Sequence, residues 1–233
     1  LKKATDDTWS MIVHDLRSPL NVINLGSAEL GRRLHDDDGA ERVIEMMRRS
    51  SDRARDLIQD ALDAMRIEGG AMRMERTVHD AEVLCDRAID AIEPIAKKKD
   101  VEVRCSVPCG CVVDCDARRM QQVLGNLLGN AVKYTPVGGQ VSLTLRTTPT
   151  DVRFEIADTG IGIGESDQER IFESFYRARD PRVEKITGTG LGLSVARQIA
   201  RLHGGDVTVS SVVDRGSTFT LVLPAQRPVS LAA

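Results

Sequence analysis

The sequence predicts an α+β fold in which an antiparallel helical hairpin precedes an α/β sandwich domain. Three observations support this prediction: two long apolar stripes in the first seventy residues, short alternating runs after Gly69-Gly70, and helical patterns between those runs. Of the 233 residues, 41% are hydrophobic and 29% are charged, a balance typical of foldable domains. We predict a first domain over residues 1–69 and a second over residues 70–233.

The first two predicted helices carry matching apolar stripes on either side of a polar break. One stripe runs from Trp9 to Leu34, the other runs from Val43 to Ala64, and the break lies at 35–39. Their alternating spacing of four and three residues is typical of the seam of a helical bundle. Further apolar residues flank each seam, so a single hairpin would leave apolar surface in water. We therefore predict a homodimer in which two hairpins form a four-helix bundle.

The second domain is predicted to contain seven strands and three long helices. The strands are predicted at 72–78, 101–107, 111–115, 141–146, 152–157, 206–212 and 218–223, and the helices near 80–98, 117–134 and 191–204. Residues 165–187 show no sustained period and are dense in charge. A segment of this length is too long for an inert connector, which indicates a mobile functional loop.

Composition argues against several other classes of protein. With 32 basic and 35 acidic residues the formal charge is −3, whereas general nucleic-acid binders have a basic excess. No apolar run approaches the roughly 18 residues that a membrane span requires, and no signal peptide opens the chain. We therefore expect no nucleic-acid partner and no membrane contact within this segment. Because the first residue is not Met, we also expect that an upstream region is missing.

Four of the five cysteines form a cluster with the spacing C-x3-C-x-C-x3-C, from Cys105 through Cys109 and Cys111 to Cys115. This is not a standard zinc spacing, and an odd, sparse set argues against a disulfide-stapled secreted domain. The flanking residues alternate like two short strands around a turn at 108–110. We therefore favour a hairpin with small buried thiols over a metal site.

Two glycine-rich stretches bracket the charged segment. Residues 158–164 (DTGIGIG) follow a predicted strand, and residues 188–193 (GTGLGL) open a predicted helix. Glycine lets the backbone approach a ligand closely, and the amides of a helix start favour phosphate. Neither stretch has the G-x-G-x-x-G spacing, and no Lys follows a Gly, which excludes a Walker A loop. The two stretches together are typical of a lid hinged on glycine.

One face of the predicted helix 117–134 carries Asn126, Asn130 and Lys133. Two amide oxygens and an ammonium group on one face suit a hydrated Mg²⁺ held against a polyphosphate. A solvated helix face is the alternative interpretation. Because apolar residues border this stripe, buried amides there would need partners, and a ligand would supply them.

Four histidines are candidate nucleophiles. His35 and His79 fit structural or solvent-facing positions, and His203 precedes Gly204 at a helix end, where a histidine commonly meets the last carbonyl groups. His14 alone lies inside the first long helix, and its neighbour Asp15 is placed to hold one ring nitrogen. Pro19 interrupts this helix one turn later, which predicts a kink.

These motifs resemble those of the sensor histidine kinases of two-component systems. Residues 14–20 (HDLRSPL) resemble the H box and residues 126–134 the N box. Residues 158–164 resemble the G1 box, 170–177 (RIFESFYR) the F box and 188–193 the G2 box, while Gly216 to Phe219 resembles the last glycine motif. All the motifs occur in family order over nearly the whole chain.

The resemblance implies the roles of individual residues. His14 would accept the γ-phosphoryl group of ATP with Asp15 as general base, and Ser18 would position water in a weak reverse reaction. Asn130 would coordinate Mg²⁺. Asp158 would accept from the adenine amino group, assisted through water by Thr218. The other implied nucleotide-binding residues are Asn126, Lys133, Tyr134, Gly160, Gly162, Gly164, Thr187, Gly188, Thr189, Gly190, Leu191, Gly192 and Leu193. Phe172 and Phe175 would anchor the lid, although a core position suits both equally well.

The resemblance also implies partners and a location. The phosphoryl group would pass to an aspartate of a response regulator receiver domain, and the location would be the cytoplasm, either free or as part of a membrane-anchored sensor. Two alternatives remain open: a kinase of the same ATPase fold that phosphorylates serine on a partner, and a scaffold that binds ATP without catalysis. The sequence identifies neither the stimulus nor the cognate regulator, and it does not distinguish cis from trans phosphorylation.

Overall fold

The computed structural model describes residues 20, 23–25, 27, 30, 38–184, 186 and 190–225. The chain divides into two compact units, residues 1–72 and 73–233. The described part of the first unit is helical up to Glu68, and the second unit contains a five-stranded sheet with helices. The predicted α+β fold class is confirmed.

The first unit is dominated by helix α1 (Asp38–Glu68). Helical residues at 20, 23–25, 27 and 30 precede it, and the buried hydroxyl of Ser51 on α1 donates to the carbonyl oxygen of Leu20 at 3.0 Å. The two helical stretches are therefore in contact. Helix α1 begins at Asp38, inside the predicted break at 35–39.

Two long helices of the second unit have side-chain caps. Helix α2 (Ala81–Lys99) begins at Asp80, whose carboxylate accepts from the amide of Glu82 at 2.8 Å. Helix α3 (Ala117–Tyr134) begins at Asp116, which accepts from the amide of Arg119 at 3.1 Å. Such caps satisfy amides that have no partner in the first turn. Both helices lie within a residue of their predicted bounds, so these predictions are confirmed.

The described residues contain seven strands, which form two sheets. They are β1 (Thr77–Asp80), β2 (Glu102–Ser106), β3 (Val112–Cys115), β4 (Gln140–Thr147), β5 (Asp151–Asp158), β6 (Asp206–Val212) and β7 (Gly216–Pro224). The larger sheet has the order β2-β4-β5-β7-β6, with only β2 and β4 parallel, and β1 pairs with β3 in a small separate sheet.

Shorter helices complete the second unit: α4 (Glu165–Gln168), a 3₁₀ turn (Arg170–Phe172), α5 (Pro181–Glu184) and α6 (Gly192–Leu202). Alternate residues of β4, β5 and β7 are buried, as are the apolar stripes of α2, α3 and α6. One face of the sheet therefore packs against a layer of helices, and this burial provides the main apolar stabilisation of the sandwich.

Two ionisable side chains hold the ends of α3. Lys99 donates from Nζ to the carbonyl oxygens of Val132 at 3.0 Å and Lys133 at 2.7 Å, in the last turn of α3. At the other end, His203 accepts at Nε2 from the amide of Asp116 at 3.0 Å and contacts the carbonyl oxygen of Ile199 through Nδ1 at 2.9 Å. Because a carbonyl oxygen only accepts, Nδ1 carries the proton. The prediction that His203 meets the last carbonyls of its helix is confirmed.

Two predicted strand arrangements are wrong. Residues 71–76 form no regular element, and the strand predicted at 72–78 is instead β1 at Thr77–Asp80. The predicted hairpin between 101–107 and 111–115 does not form, because β2 pairs with β4 and β3 pairs with β1. Each strand thus finds a partner outside the local turn.

The cysteine cluster is also more open than predicted. All five cysteines are free thiols; Cys105 and Cys109 are exposed, Cys111 is half-buried and Cys115 is buried. Within the described ranges, no group of three or more His, Cys, Asp or Glu side chains is placed to hold a metal ion. In the same part of the chain, no helix has the combination of length and apolarity that crossing a bilayer requires.

Candidate nucleotide-binding site

A buried carboxylate, Asp158, lies at the last position of β5 and is only 9% exposed. Its Oδ1 accepts from the amides of Gly160 at 2.8 Å and Ser217 at 3.2 Å. Burial raises the pKa of Asp158, while these two amides oppose the shift by stabilising the charged form. Both described hydrogen bonds end on Oδ1, so Oδ2 has acceptor capacity for a ligand that presents an N–H group.

Glycines allow the backbone to close around this carboxylate. A Cβ on Gly160 would lie 2.6 Å from Asp158 Oδ1 and 2.7 Å from the carbonyl oxygen of Tyr134. Gly162 has a φ of +68° and lies against the carbonyl of Val212, and Gly216 has a φ of +104° and lies against the carbonyl of Asp158. Any side chain at these three positions would displace the neighbouring backbone. At Gly164, by contrast, a Cβ would meet open space.

The strand register corrects one predicted site residue. Ser217 lies directly opposite Asp158, whereas Thr218 lies opposite Ala157. Because side chains alternate between the two faces of a strand, Thr218 is on the other face from Asp158. The prediction that Thr218 assists Asp158 is therefore wrong by one residue, and Ser217 occupies that place.

The amide face of α3 borders the site. Asn126, Asn130, Lys133 and Tyr134 are all half-buried on this helix. Asn126 donates from Nδ2 to the carbonyl oxygen of Gly192 at 2.9 Å, which leaves Oδ1 directed away from that carbonyl. No hydrogen bond to the Asn130 side chain occurs among the described residues. A half-buried amide of this kind fits a ligand that supplies the missing partner.

The aromatic ring of Tyr134 lies beside two cationic side chains. Its centroid is 5.1 Å from Lys133 Nζ, and burial raises the pKa of its hydroxyl, a shift that the charge of Arg177 opposes. The carbonyl of Tyr134 accepts from the amide of Ile161 at 3.3 Å. The end of α3 and the glycine stretch after β5 are thereby joined, and cationic groups are concentrated at this edge.

The charged segment after β5 carries the two predicted lid aromatics. Phe175 is 72% exposed with a φ of +66°, and its amide donates to the carbonyl oxygen of Gly190 at 2.9 Å. Phe172 is half-buried, with the guanidinium of Arg197 at 4.5 Å from its ring centroid. A core position is therefore wrong for Phe175. Gly190, with a φ of +74°, contacts the backbone of residues 175 and 176 so closely that a Cβ would clash with it.

The remaining predicted residues lie at the start of α6 or outside the described ranges. Leu191 is buried immediately before α6, and Gly192 and Leu193 are half-buried in its first turn. Six predicted residues lie outside the described residues: His14, Asp15, Ser18, Thr187, Gly188 and Thr189.

Two domain families match the chain in succession. Residues 5–70 match the His Kinase A (phospho-acceptor) domain. Residues 115–227 match the family of histidine kinase-, DNA gyrase B-, and HSP90-like ATPases. The chain belongs to the sensor histidine kinase family. Its second unit therefore belongs to a family of ATPases.

The chain is similar to known histidine kinases along nearly its whole length. The sensor-like histidine kinase SenX3 of Mycobacterium bovis is 31% identical over 97% of the chain and 55% of SenX3. The adaptive-response sensory kinase SasA of Synechococcus sp. (strain JA-3-3Ab) is 36% identical over 95% of the chain and 60% of SasA. The chain thus spans a little over half the length of these curated relatives.

A solved structure shares the fold. The crystal structure of full-length ShkA in complex with AMPPNP has a TM-score of 0.77 and 28% identity, covering 94% of this chain and 45% of ShkA.

The sequence did not reveal three polar residues behind Asp158: Ser217, Ser211 and Gln168. Ser211 accepts from the amide of Ile163 at 2.8 Å, and Gln168 donates from Nε2 to the carbonyl oxygen of Ser211 at 2.9 Å. Ser217 lies in the motif from Gly216 to Phe219, where the prediction chose its neighbour Thr218 instead. No motif marks Ser211 or Gln168, because their proximity to the site arises from the pairing of β6 with β7 and the packing of α4. Strand register would have been needed to find them.

Proposed function

We propose that this chain uses ATP to phosphorylate His14 and passes the phosphoryl group to an aspartate of a response regulator receiver domain. The observation that carries the proposal is the buried Asp158 with its glycine-lined surroundings in an ATPase-family unit. The same chain contains a phospho-acceptor family match that includes His14. Neither a serine kinase nor a scaffold has a use for both features.

In the proposed complex, Asp158 accepts from the 6-amino group of adenine. Gly160 and Gly162 let the backbone pass close to the base, and the backbone at Gly190 and Gly192 faces the phosphates. Asn130 would coordinate Mg²⁺, and Asn126 and Lys133 would lie beside the phosphates; the half-buried amide of Asn130 fits that role. When bound, Mg²⁺ neutralises charge on the polyphosphate.

In the phosphoryl transfer, Asp15 holds the N–H of the His14 imidazole and accepts its proton as the opposite nitrogen attacks the γ-phosphorus. The bond from that phosphorus to the bridging oxygen breaks, and ADP leaves. A receiver aspartate then attacks the phosphorus of phosphohistidine, and the P–N bond breaks as the imidazole recovers a proton. In-line geometry and charge neutralisation supply most of the catalysis in such steps.

The proposal assigns residues 1–69 to dimerisation and phosphoacceptance and residues 70–233 to ATP binding. Exposed apolar side chains support the dimer: Ile23 is 41% exposed, Leu25 69%, Leu30 46% and Met47 38%. Pairing two hairpins would remove this surface from water. Sedimentation equilibrium of the full chain should give twice its mass of 25.5 kDa, and a monomer at tens of micromolar would contradict the bundle.

The proposed location is the cytoplasm, where ATP and receiver domains occur together. The proposal also includes a weak phosphatase activity toward the regulator, in which the hydroxyl of Ser18 orients the attacking water. Ser18 is four residues after His14 and so shares its helix face.

The test is autophosphorylation with γ-labelled ATP in the full chain. His14→Gln should abolish labelling and leave ADP affinity unchanged, because the nucleotide site is formed by residues of the second unit. His35→Gln is the matched control, since His35 is also followed by aspartate, and it should be labelled normally. The label should be lost in acid and survive in alkali, as phosphohistidine does. Acid-stable label would refute the assignment and favour the serine-kinase alternative. Acid-labile label retained in His14→Gln would refute His14 as the nucleophile and assign that role to another residue.

A further inference from the structure

Three side chains form a row across neighbouring strands behind the candidate base site. Ser211 on β6 is directly opposite Ser217 on β7, and Ser217 is directly opposite Asp158 on β5. Directly opposed residues lie on the same face of a sheet. The row therefore connects a half-buried hydroxyl, Ser211, through the 6% exposed Ser217 to the carboxylate.

The hydroxyl of Ser211 has three partners. Its Oγ accepts from the amide of Ile163 at 2.8 Å, lies 2.8 Å from the carbonyl oxygen of Gly216, and lies 2.9 Å from Ser217 Oγ. A hydroxyl has one proton to donate and two lone pairs. The contact with Ile163 occupies one lone pair, because an amide only donates.

The carbonyl oxygen of Gly216 determines the direction of the other two hydrogen bonds of Ser211. The carbonyl of Gly216 cannot donate, so the proton of Ser211 is directed to it. Ser217 must then donate its own proton to Ser211, which fills the last lone pair of Ser211. Ser217 keeps only lone pairs for any other partner, so toward a ligand its hydroxyl acts as an acceptor.

We propose that Ser211 is a positioning residue that fixes Ser217 as an acceptor and so makes the base site select 6-aminopurine over 6-oxopurine nucleotides. This inference rests on the proposed function, because it concerns the base of the bound nucleotide. A 6-amino group has two N–H donors, which match Asp158 Oδ2 and Ser217 Oγ directly or through a water. A 6-oxo group presents an acceptor to two acceptors, which is unfavourable.

The test compares ADP with IDP, which carry an amino and an oxo group at position 6, by calorimetric titration of the full chain. Ser211→Ala should free the proton of Ser217, which then turns toward the ligand. The ratio of IDP to ADP dissociation constants should fall by about fivefold, the factor that one neutral hydrogen bond provides. Ser211→Thr keeps the hydroxyl and should retain the wild-type ratio.

Two measurements separate positioning from general loosening. Ser210→Ala is the matched control, since Ser210 is the exposed neighbour on the same strand, and it should change neither affinity. Amide exchange of Ile163 in the nucleotide-free chain should accelerate in Ser211→Ala alone. If Ser211→Ala fails to fold, Ser211→Cys replaces it in the test. The thiol keeps the shape of the side chain but is a weak donor, so the ratio of IDP to ADP dissociation constants should again fall.

The outcomes also separate this inference from the proposed function. A wild-type chain that binds ADP, with a Ser211→Ala ratio equal to wild type, would overturn the inference alone. Equal weakening of both nucleotides would also overturn it, because that is the effect of a merely structural residue. A wild-type chain that binds neither nucleotide would overturn the proposed function and the inference together.

Discussion

Replacing Gly216 by alanine should destabilise the second unit more than the same change at Gly138 or Gly125. Gly216 begins β7 with a φ of +104°, and a Cβ there would overlap the carbonyl oxygen of Asp158 and approach its carbonyl carbon to 2.8 Å. A non-glycine residue at positive φ costs about 1–2 kcal/mol, and forcing atoms into packed structure adds about 1–3 kcal/mol. The expected loss in free energy of unfolding is therefore about 2–5 kcal/mol.

The other two glycines separate these contributions. Gly138 has a φ of +77°, but nothing lies within 4 Å of the position that a Cβ would take, so Gly138→Ala should cost about 1–2 kcal/mol from conformation alone. Gly125 lies exposed within α3, also with nothing within 4 Å, so Gly125→Ala should stabilise by about 0.5–1 kcal/mol. The three variants should therefore rank, from most to least stable, in the order Gly125→Ala, Gly138→Ala and Gly216→Ala.

The assay is urea unfolding followed by tyrosine and tryptophan fluorescence separately. The two tyrosines, Tyr134 and Tyr176, belong to the second unit, and the one tryptophan, Trp9, belongs to the first. The tyrosine midpoint should shift in Gly216→Ala with an unchanged slope, and the tryptophan midpoint should not move. If Gly216→Ala costs no more than Gly138→Ala, the close approach of Gly216 to Asp158 does not contribute to stability and the reasoning is refuted.

Three further predictions concern other elements. Burial lowers the pKa of His203 below its ordinary 6.5, so the unfolded chain protonates first; its contribution to stability is complete above pH 6.5 and is lost as pH falls through the folded-state pKa. Urea unfolding should thus depend less steeply on acid pH in His203→Gln than in wild type or His79→Gln, and equal slopes would contradict this. Lys99→Met should lower the free energy of unfolding by about 1–3 kcal/mol, because the hydrogen bonds to the carbonyl groups of α3 are lost. Lys98→Met, at an exposed position, should not change it. Equal effects of the two substitutions would show that Lys99 does not stabilise the end of α3. Ser18→Ala should slow dephosphorylation of the regulator and Ser18→Thr should raise it, with autophosphorylation spared, and unchanged rates in both would remove Ser18 from the mechanism.

Local patterns predicted most elements because their determinants are local. Helix α3 was predicted at its observed bounds, since its apolar period and the cap at Asp116 lie within the helix or beside it. Strand β5 was predicted within a residue at each end because its alternation is complete. The amide face of α3 followed from helical spacing alone.

Strand partners were not predictable in the same way. Residues 101–107 and 111–115 have the pattern of a hairpin, but β2 joins β4 in parallel and β3 joins β1, and those choices depend on distant segments. The error at Thr218 has the same origin: a register shift of one residue moves a side chain to the opposite face. Only the pairing of β5 with β7 identifies Ser217 as the neighbour of Asp158.

The junction of Asp158 with Ser217 also bears on how this enzyme family can diversify. Residues 159–205 leave the sheet after β5 and return to it at β6, the partner of β7, and the amide of Ser217 on β7 bonds the carboxylate that precedes the excursion. The entropy cost of closing such an excursion grows only logarithmically, by about 0.6 kcal/mol for each doubling of length. Insertions between Gly164 and Gly190 would therefore change what covers the nucleotide at little thermodynamic cost to the strands that hold it. The architecture separates the part of the protein that is free to vary from the part that must stay fixed.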